Sequence, residues 1–229
     1  MFYIKIADHT FLVENRYPHV EKRSHDYLIP ACEPEFVIGI SEEEIRAEKQ
    51  KGPGHGPGQC ESFVLLRKLA EDLMPHHVFL MHGVVVEAYG TGILFLAKSG
   101  VGKSTHAALW KELPGVGAEI ISGDKTFLSF DGGTLFAYGT PWAGNEREQK
   151  NKKCPLKKIC FLERGTENEC TKLSSDDAIF RVLPFVYAEN GEFAGEVLRM
   201  IHDAGPTFYS LRCNRDLSAA ECACRTMFS

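Results

Sequence analysis

Hydrophobic and polar positions alternate from the first residues onward. Phe2, Ile4 and Ile6 interleave with Tyr3 and Lys5, the period of two expected of a half-buried strand. Asp8, His9 and Thr10 are expected to turn the chain into a second apolar run, Phe11–Val13. A third run, Phe36–Ile40, leads into Ser41 and three glutamates; Ser41 with Glu44 three residues on is a capping-box pattern that predicts a short helix. The segment KGPGHGPGQ over 51–59 is too rich in glycine and proline for either regular element, so it reads as a loop or a subdomain boundary. From Glu61 onward Leu65, Leu66, Leu69 and Leu73 recur at helical spacing, until Pro75 stops the helix.

The remaining pattern mixes both periods. Strands are expected at Val78–Met81, Val84–Val86, Ile93–Leu96, Glu119–Ser122, Thr126–Phe130, Leu135–Tyr138, Lys158–Leu162 and Phe208–Arg212, with Asp131 and Gly132 turning one pair into a hairpin. Helices are expected at Ser104–Leu113, Asp176–Leu183 and Glu196–His202, with a C-terminal helix opened by a second capping box, Ser218 with Glu221. Strands interspersed with helices predict an α/β or α+β fold, a mixed sheet with flanking helices.

Composition narrows the class. The 229 residues are 44% hydrophobic and 25% charged, ordinary for a globular chain of one domain. The expected organisation is a single domain over 1–229, with a β-rich part at 1–50, the Gly/Pro loop at 51–59 and a core at 60–229. No apolar run nears the roughly 20 residues that span a bilayer, and the N-terminus lacks a signal-peptide pattern. A cytoplasmic protein with no membrane partner is therefore expected. Twenty-six basic against 31 acidic residues, a net charge of −5, argue against nucleic acid as a partner. The lysines at 150, 152, 153, 157 and 158 read as a solvated loop entering a strand, with an anion or acidic-peptide contact as the alternative. Eight cysteines without a CxxC pair are expected as reduced thiols; Cys222 and Cys224 form a CxC near the C-terminus, for which zinc or redox ligation is the alternative. His55 reads as an exposed loop residue.

One segment carries chemistry. Residues 93–105, ILFLAKSGVGKST, fit the P-loop pattern [A/G]-x4-G-K-[S/T], with Ala97 in the first glycine's place. Gly100 and Gly102 let successive backbone N–H groups face a phosphate, so Ser99, Gly100, Val101, Gly102, Lys103, Ser104 and Thr105 are the expected nucleotide-binding residues. Lys103 supplies a cation to the terminal phosphates and Ser104 a hydroxyl to Mg²⁺. Asp124, at the end of the next apolar strand, stands where an open α/β sheet holds its ligands, and is expected to hold or orient the metal. A GTPase would need an Asn/Thr-Lys-x-Asp motif; residues 151–154, NKKC, lack the acid.

The stretch HGVVVEAYGTGIL over 82–94, running directly into that loop, resembles the HPr kinase/phosphorylase catalytic domain, which has HGVxVDxYGxGVL at the same spacing. More distantly the chain resembles the nucleotide-binding part of ATP-dependent phosphoenolpyruvate carboxykinase. YGTPWAG at 138–144, FLERG at 161–165 and YSLRC at 209–213 resemble a shorter HPr-kinase-like branch found beside peptide-modification systems.

The resemblance implies a phosphoenolpyruvate carboxykinase/HPr kinase-like P-loop fold and an ATP- and Mg²⁺-dependent kinase acting on a serine of a peptide or small protein. It makes Asp124 the base that takes the acceptor proton and His82 a neighbour of the transferred phosphate; a homo-oligomer is compatible with it. Glu87 replaces the family's Asp and reads as either a site-supporting or a structural residue. Trp142 reads as a pocket-lining or a structural tryptophan, with Glu146 and Arg147 weaker rim candidates. Three departures stand out. Gly123 replaces the first of two adjacent aspartates, Thr105 replaces the Glu after GKS, and no stretch of these residues resembles the bifunctional enzymes' glycine-rich C-terminal signature or their separate N-terminal domain. Two alternatives follow from the same residues: a non-catalytic ATP-binding module, or a small-metabolite kinase.

Overall fold

The computed structural model describes residues 1–144, 147–187, 191 and 193–229. It divides into two units, Met1–Val78 and Phe79–Ser229, so the division falls well beyond the Gly/Pro segment.

In the first unit, β1 (Phe2–Ile6) and β2 (His9–Glu14) form an antiparallel hairpin. The turn residues are Ala7 and Asp8, with φ of 49° and 70°, one position earlier than the alternation predicts. Positive φ at both positions matches the right-handed twist of the strands. After the short helix α1 (Pro18–Arg23), which sequence pattern did not signal, β3 (Phe36–Gly39) adds parallel to β2. The inward side of this sheet is Phe2, Ile4, Ile6, Phe11, Val13 and Ile38, all buried.

Helix α2 (Glu42–Lys51) begins as expected. Ser41 Oγ accepts the Glu44 N–H at 3.2 Å, and the Glu44 carboxylate accepts the Ser41 N–H at 2.8 Å. Helix α3 (Pro57–Leu73) starts four residues before Glu61, with Pro57 in its first turn where a missing N–H costs nothing. The expected loop over 51–59 therefore shrinks to 52–56. Glu61, fully buried, is satisfied by the N–H groups of Arg16 and Tyr17 at 2.5 and 3.0 Å.

The second unit is built on a curled mixed sheet. Its strands are β4 (Val78–His82), β5 (Val84–Ala88), β6 (Thr91–Leu96), β7 (Glu119–Ser122), β8 (Lys125–Asp131), β9 (Thr134–Tyr138), β10 (Lys153–Arg164), β11 (Glu169–Lys172) and β12 (Thr207–Cys213). The order is β4-β8-β9-β10-β6-β5-β7, with β12 on β10 and β11 on β12. Gly132 and Gly133, both at positive φ, close the β8–β9 hairpin. β10 starts five residues earlier than expected; one edge serves β9 along 153–156 and then β12 along 158–164, and the other pairs with β6. Strands β6, β10 and β12 run parallel, and β7 shares their direction because β5 is antiparallel to both β6 and β7. The loops that follow these four strands therefore gather at one carboxyl edge, where open α/β sheets bind ligands.

Helices α4 (Lys103–Glu112) and α7 (Leu217–Phe228) cover one face, with Trp110 and Ala220 in one buried cluster with Val86, Phe95 and Leu211 of the sheet. The remaining helices are α5 (Ser175–Ala178) and α6 (Ala194–Ala204). The helix expected over 176–183 is one α-helical turn followed by 3₁₀ structure through Phe185, because Pro184 cannot donate an α-helical hydrogen bond. The second capping box does not form. Asp216 is the N-cap of α7, and Ser218 Oγ instead accepts from Asn168 Nδ2 at 2.9 Å.

Candidate active site

The loop after β6 is short and sharply bent. Gly100 and Gly102 have φ of 78° and 120°, a region that favours glycine, and Gly102 leads straight into α4 with Lys103 as its first residue. Lys103 is 8% exposed, and its Nζ donates to the Ala97 carbonyl at 2.8 Å, across the mouth of the loop. Arg164, at the end of β10, ties two loop carbonyls: its guanidinium donates to Val101 O at 3.1 Å and to Gly100 O. The loop is thus pinned from the neighbouring strand.

β4 ends at His82, and β7 ends just before Gly123 and Asp124. The Gly83 N–H donates to the Asp124 carbonyl at 2.9 Å, joining the two strand ends. Their side chains meet as well, with His82 Nε2 and Asp124 Oδ1 2.9 Å apart. His82, Asp124, Ser99, Gly100, Lys103 and Ser104 line one cleft of about 480 Å³. Gly102 and Thr105 complete its loop side, and Gly123, Gly144 and Arg215 the rest. The sequence-predicted loop, His82 and Asp124 are brought together. Val101 lies outside this cleft, in a small groove of about 20 Å³ toward the ends of β10 and β12.

The charges in the cleft are coupled. Burial pushes the Asp124 carboxyl upward, but the His82 hydrogen bond and the positive charges of Lys125, His82 and Lys103 outweigh it, leaving Asp124 below its ordinary value. Burial pushes Lys103 and Lys125 down, and Asp124 partly restores both. A carboxylate flanked by two lysines at a strand end is arranged to receive phosphate and to accept a proton or a metal. Asp124 is the one carboxylate lining the cleft among the described residues, and it shares that cleft with the Ser104 hydroxyl. That pair suits magnesium, a hard cation usually held by one or two carboxylates together with substrate phosphates.

Several expected residues lie elsewhere. Trp142 is 2% exposed and does not line the cleft. Its carbonyl accepts the Lys125 N–H at 3.0 Å, and its N–H donates to Thr140 Oγ1 at 3.2 Å, so it buttresses the strand that starts beside Asp124. Glu87 pairs with Gly92, at the end of β5 remote from the loop, and forms an ion pair with Lys152. Arg147 is exposed, adopts φ of 53° and does not line the cleft; Glu146 lies outside the described residues. The basic run is partly strand, with Lys150 and Lys152 paired to Glu119. Cys222 Sγ faces the Asn168 carbonyl at 3.6 Å, and the eight cysteines are unbridged.

Sequence reasoning missed Lys125, Arg164 and Arg215. Lys125 was signalled only by adjacency to Asp124. Arg164 ends β10 and Arg215 follows β12; Arg164 stands in the FLERG stretch with no role attached, and a place at the site for either depends on β10 and β12 running parallel to β6.

No protein-family model matches the chain, and no curated protein matches it. Among solved structures it is similar to the Hpr(Ser) kinase/phosphatase from Coxiella burnetii, at 10% identity, covering 58% of this chain and 84% of that one, with a TM-score of 0.34. A likeness this slight carries no argument about activity. The fold itself is mixed α/β, a curled sheet with helices against it.

Proposed function

We propose that the chain is a P-loop phosphotransferase that moves the γ-phosphoryl group of ATP to a serine hydroxyl of a peptide or small protein. The observation that carries the reading is the convergence of the glycine loop, Lys103, Ser104 and the His82–Asp124 pair on one cleft.

The chain's residues divide the work. The loop and the start of α4 hold the phosphates, since N–H groups at a helix N-terminus favour anions. Lys103 leaves the Ala97 carbonyl for the terminal phosphates, and Arg215, which lines both the cleft and the groove beyond it, meets the nucleotide farther along. His82 holds Asp124 Oδ1, so the other carboxylate oxygen takes the proton of the acceptor hydroxyl. The serine oxygen forms its bond to the γ-phosphorus, the bond to the ADP oxygen breaks, and ADP departs. Such catalysis is chiefly positioning and charge stabilisation. Magnesium, held by Ser104 and Asp124, would supply charge neutralisation on the phosphate oxygens.

A second reading, nucleotide binding without turnover, is favoured by Gly123. A Cβ there would stand 2.5 Å from the Ala143 carbonyl oxygen and 2.9 Å from that of Glu148, so the backbone excludes a second carboxylate beside Asp124. Incubation with γ-labelled ATP, Mg²⁺ and a serine-peptide pool, followed by mass spectrometry, separates the two. Phosphoserine on peptide is the result expected of the kinase; bound ATP with no label transferred leaves the binding module.

A further inference from the structure

A second cavity, of about 170 Å³, adjoins the phosphate cleft on the Asp124 side. Ser104, Thr105 and Gly123 line both. Its other walls are aliphatic, Val84, Ala107, Ala108 and Ile120, three of them part of the buried core of the unit. The one charged group lining it among the described residues, Glu148, already accepts from Lys111 Nζ at 2.9 and 3.0 Å.

We infer that this slot receives one aliphatic side chain of the acceptor, from a residue next to the phosphorylated serine. The inference rests on the kinase reading and extends it to the substrate class. Four observations support it. An acceptor reaching Asp124 with its hydroxyl lies against Gly123, so its neighbouring residue meets the slot, consecutive Cα atoms being about 3.8 Å apart. Beyond Ser104 and Thr105 at the shared edge and Glu148, already paired, the aliphatic walls would leave most hydroxyls of a ribose, or most oxygens of a phosphate, without partners at a cost. The volume falls below the roughly 300–1,000 Å³ of pockets that enclose a drug-sized ligand, and suits a single side chain. Finally, a nucleoside has another flank available. With its terminal phosphate at Asp124, its base leads away toward Arg164, Asn214 and Arg215, which line the groove on the β10–β12 side.

The test uses the full chain loaded with a non-hydrolysable ATP analogue and Mg²⁺. Alanine-based heptapeptides with a central serine, flanked on both sides by Gly, Leu, Lys or Phe, are titrated by calorimetry. The Leu peptide is expected to bind at least tenfold tighter than the Gly or Lys peptide. Ala108→Leu, which fills the slot, should erase that preference while the analogue still binds, and Ile120→Ala, which enlarges it, should move the preference to Phe. A gain for Phe cannot come from misfolding. Equal binding of Leu and Gly peptides to the wild type overturns the inference, as does an Ala108→Leu variant that loses the analogue itself, since the slot would then belong to the nucleotide. Transfer from labelled ATP to the Leu peptide is scored separately. A leucine preference without transfer keeps the slot and discards the kinase.

Discussion

Two histidines illustrate what burial does to a single side chain here. His106, one turn into α4, is 3% exposed and rests edge-on against Phe95. Its Nε2 accepts from Trp110 Nε1 at 3.0 Å, so the neutral ring carries its proton on Nδ1, which has no hydrogen-bond partner among the described residues. Burial pushes His106 down to about 4. Because the unfolded chain binds this proton from about 6.5 downward and the folded chain does not, stability should be complete above pH 6.5. It should then fall by roughly 3 kcal/mol on the way to pH 4. Urea unfolding across that range measures the slope, and His106→Gln should flatten it. His82 does the opposite for its partner, helping to hold Asp124 in its ionised form. A depressed carboxyl stays charged as pH falls until its lowered folded value is reached. The acid limb of phosphoryl transfer due to Asp124 should therefore lie below about pH 4 in the wild type, and pH–rate profiles should show it moving upward in His82→Ala.

Among elements, the strand–loop–helix of β6 and α4 was the most legible in sequence, because the glycines, lysine and serine are contiguous and an apolar strand precedes them. The β5–β6 pair, the β8–β9 hairpin and the Ser41 cap were legible for the same reason: neighbours in sequence decide them. Whatever depends on strands meeting across the sheet was not. β11 has only Cys170 and Thr171 to suggest a strand, and forms because β12 offers it an edge. Trp142 and Glu87 have residue types suited to a site, but register and packing send one into the core and the other to the far end of its strand. Arg164 is the clearest case of function arising from topology. Its donors hold Gly100 and Val101 only because β10 lies beside β6. Arg164→Ala should release the loop and weaken ATP binding about tenfold, the loss of a charge-assisted hydrogen bond, with the unfolding midpoint nearly unchanged. Isothermal titration beside a thermal melt checks both.

At the scale of the whole chain, the two units each build their own core, and all the residues of the cleft belong to Phe79–Ser229. No helix among the described residues is long and apolar enough to cross a membrane. The acidic balance of the chain coexists with Lys103 and Lys125 beside Asp124 and Arg215 in the same cleft, so the charge that would face a nucleotide is opposite in sign to the net charge. Such local fields, not the net charge, decide what a cleft attracts. The central claim is that Asp124 takes a proton from an acceptor while the loop holds ATP. Its most direct measurement compares wild type with Asp124→Asn, using γ-labelled ATP, Mg²⁺ and a serine peptide that the wild type phosphorylates. General-base removal should lower the transfer rate by about 10²–10⁴-fold, with the affinity for a non-hydrolysable ATP analogue in the absence of metal changed only slightly. Transfer by Asp124→Asn at the wild-type rate would contradict the account.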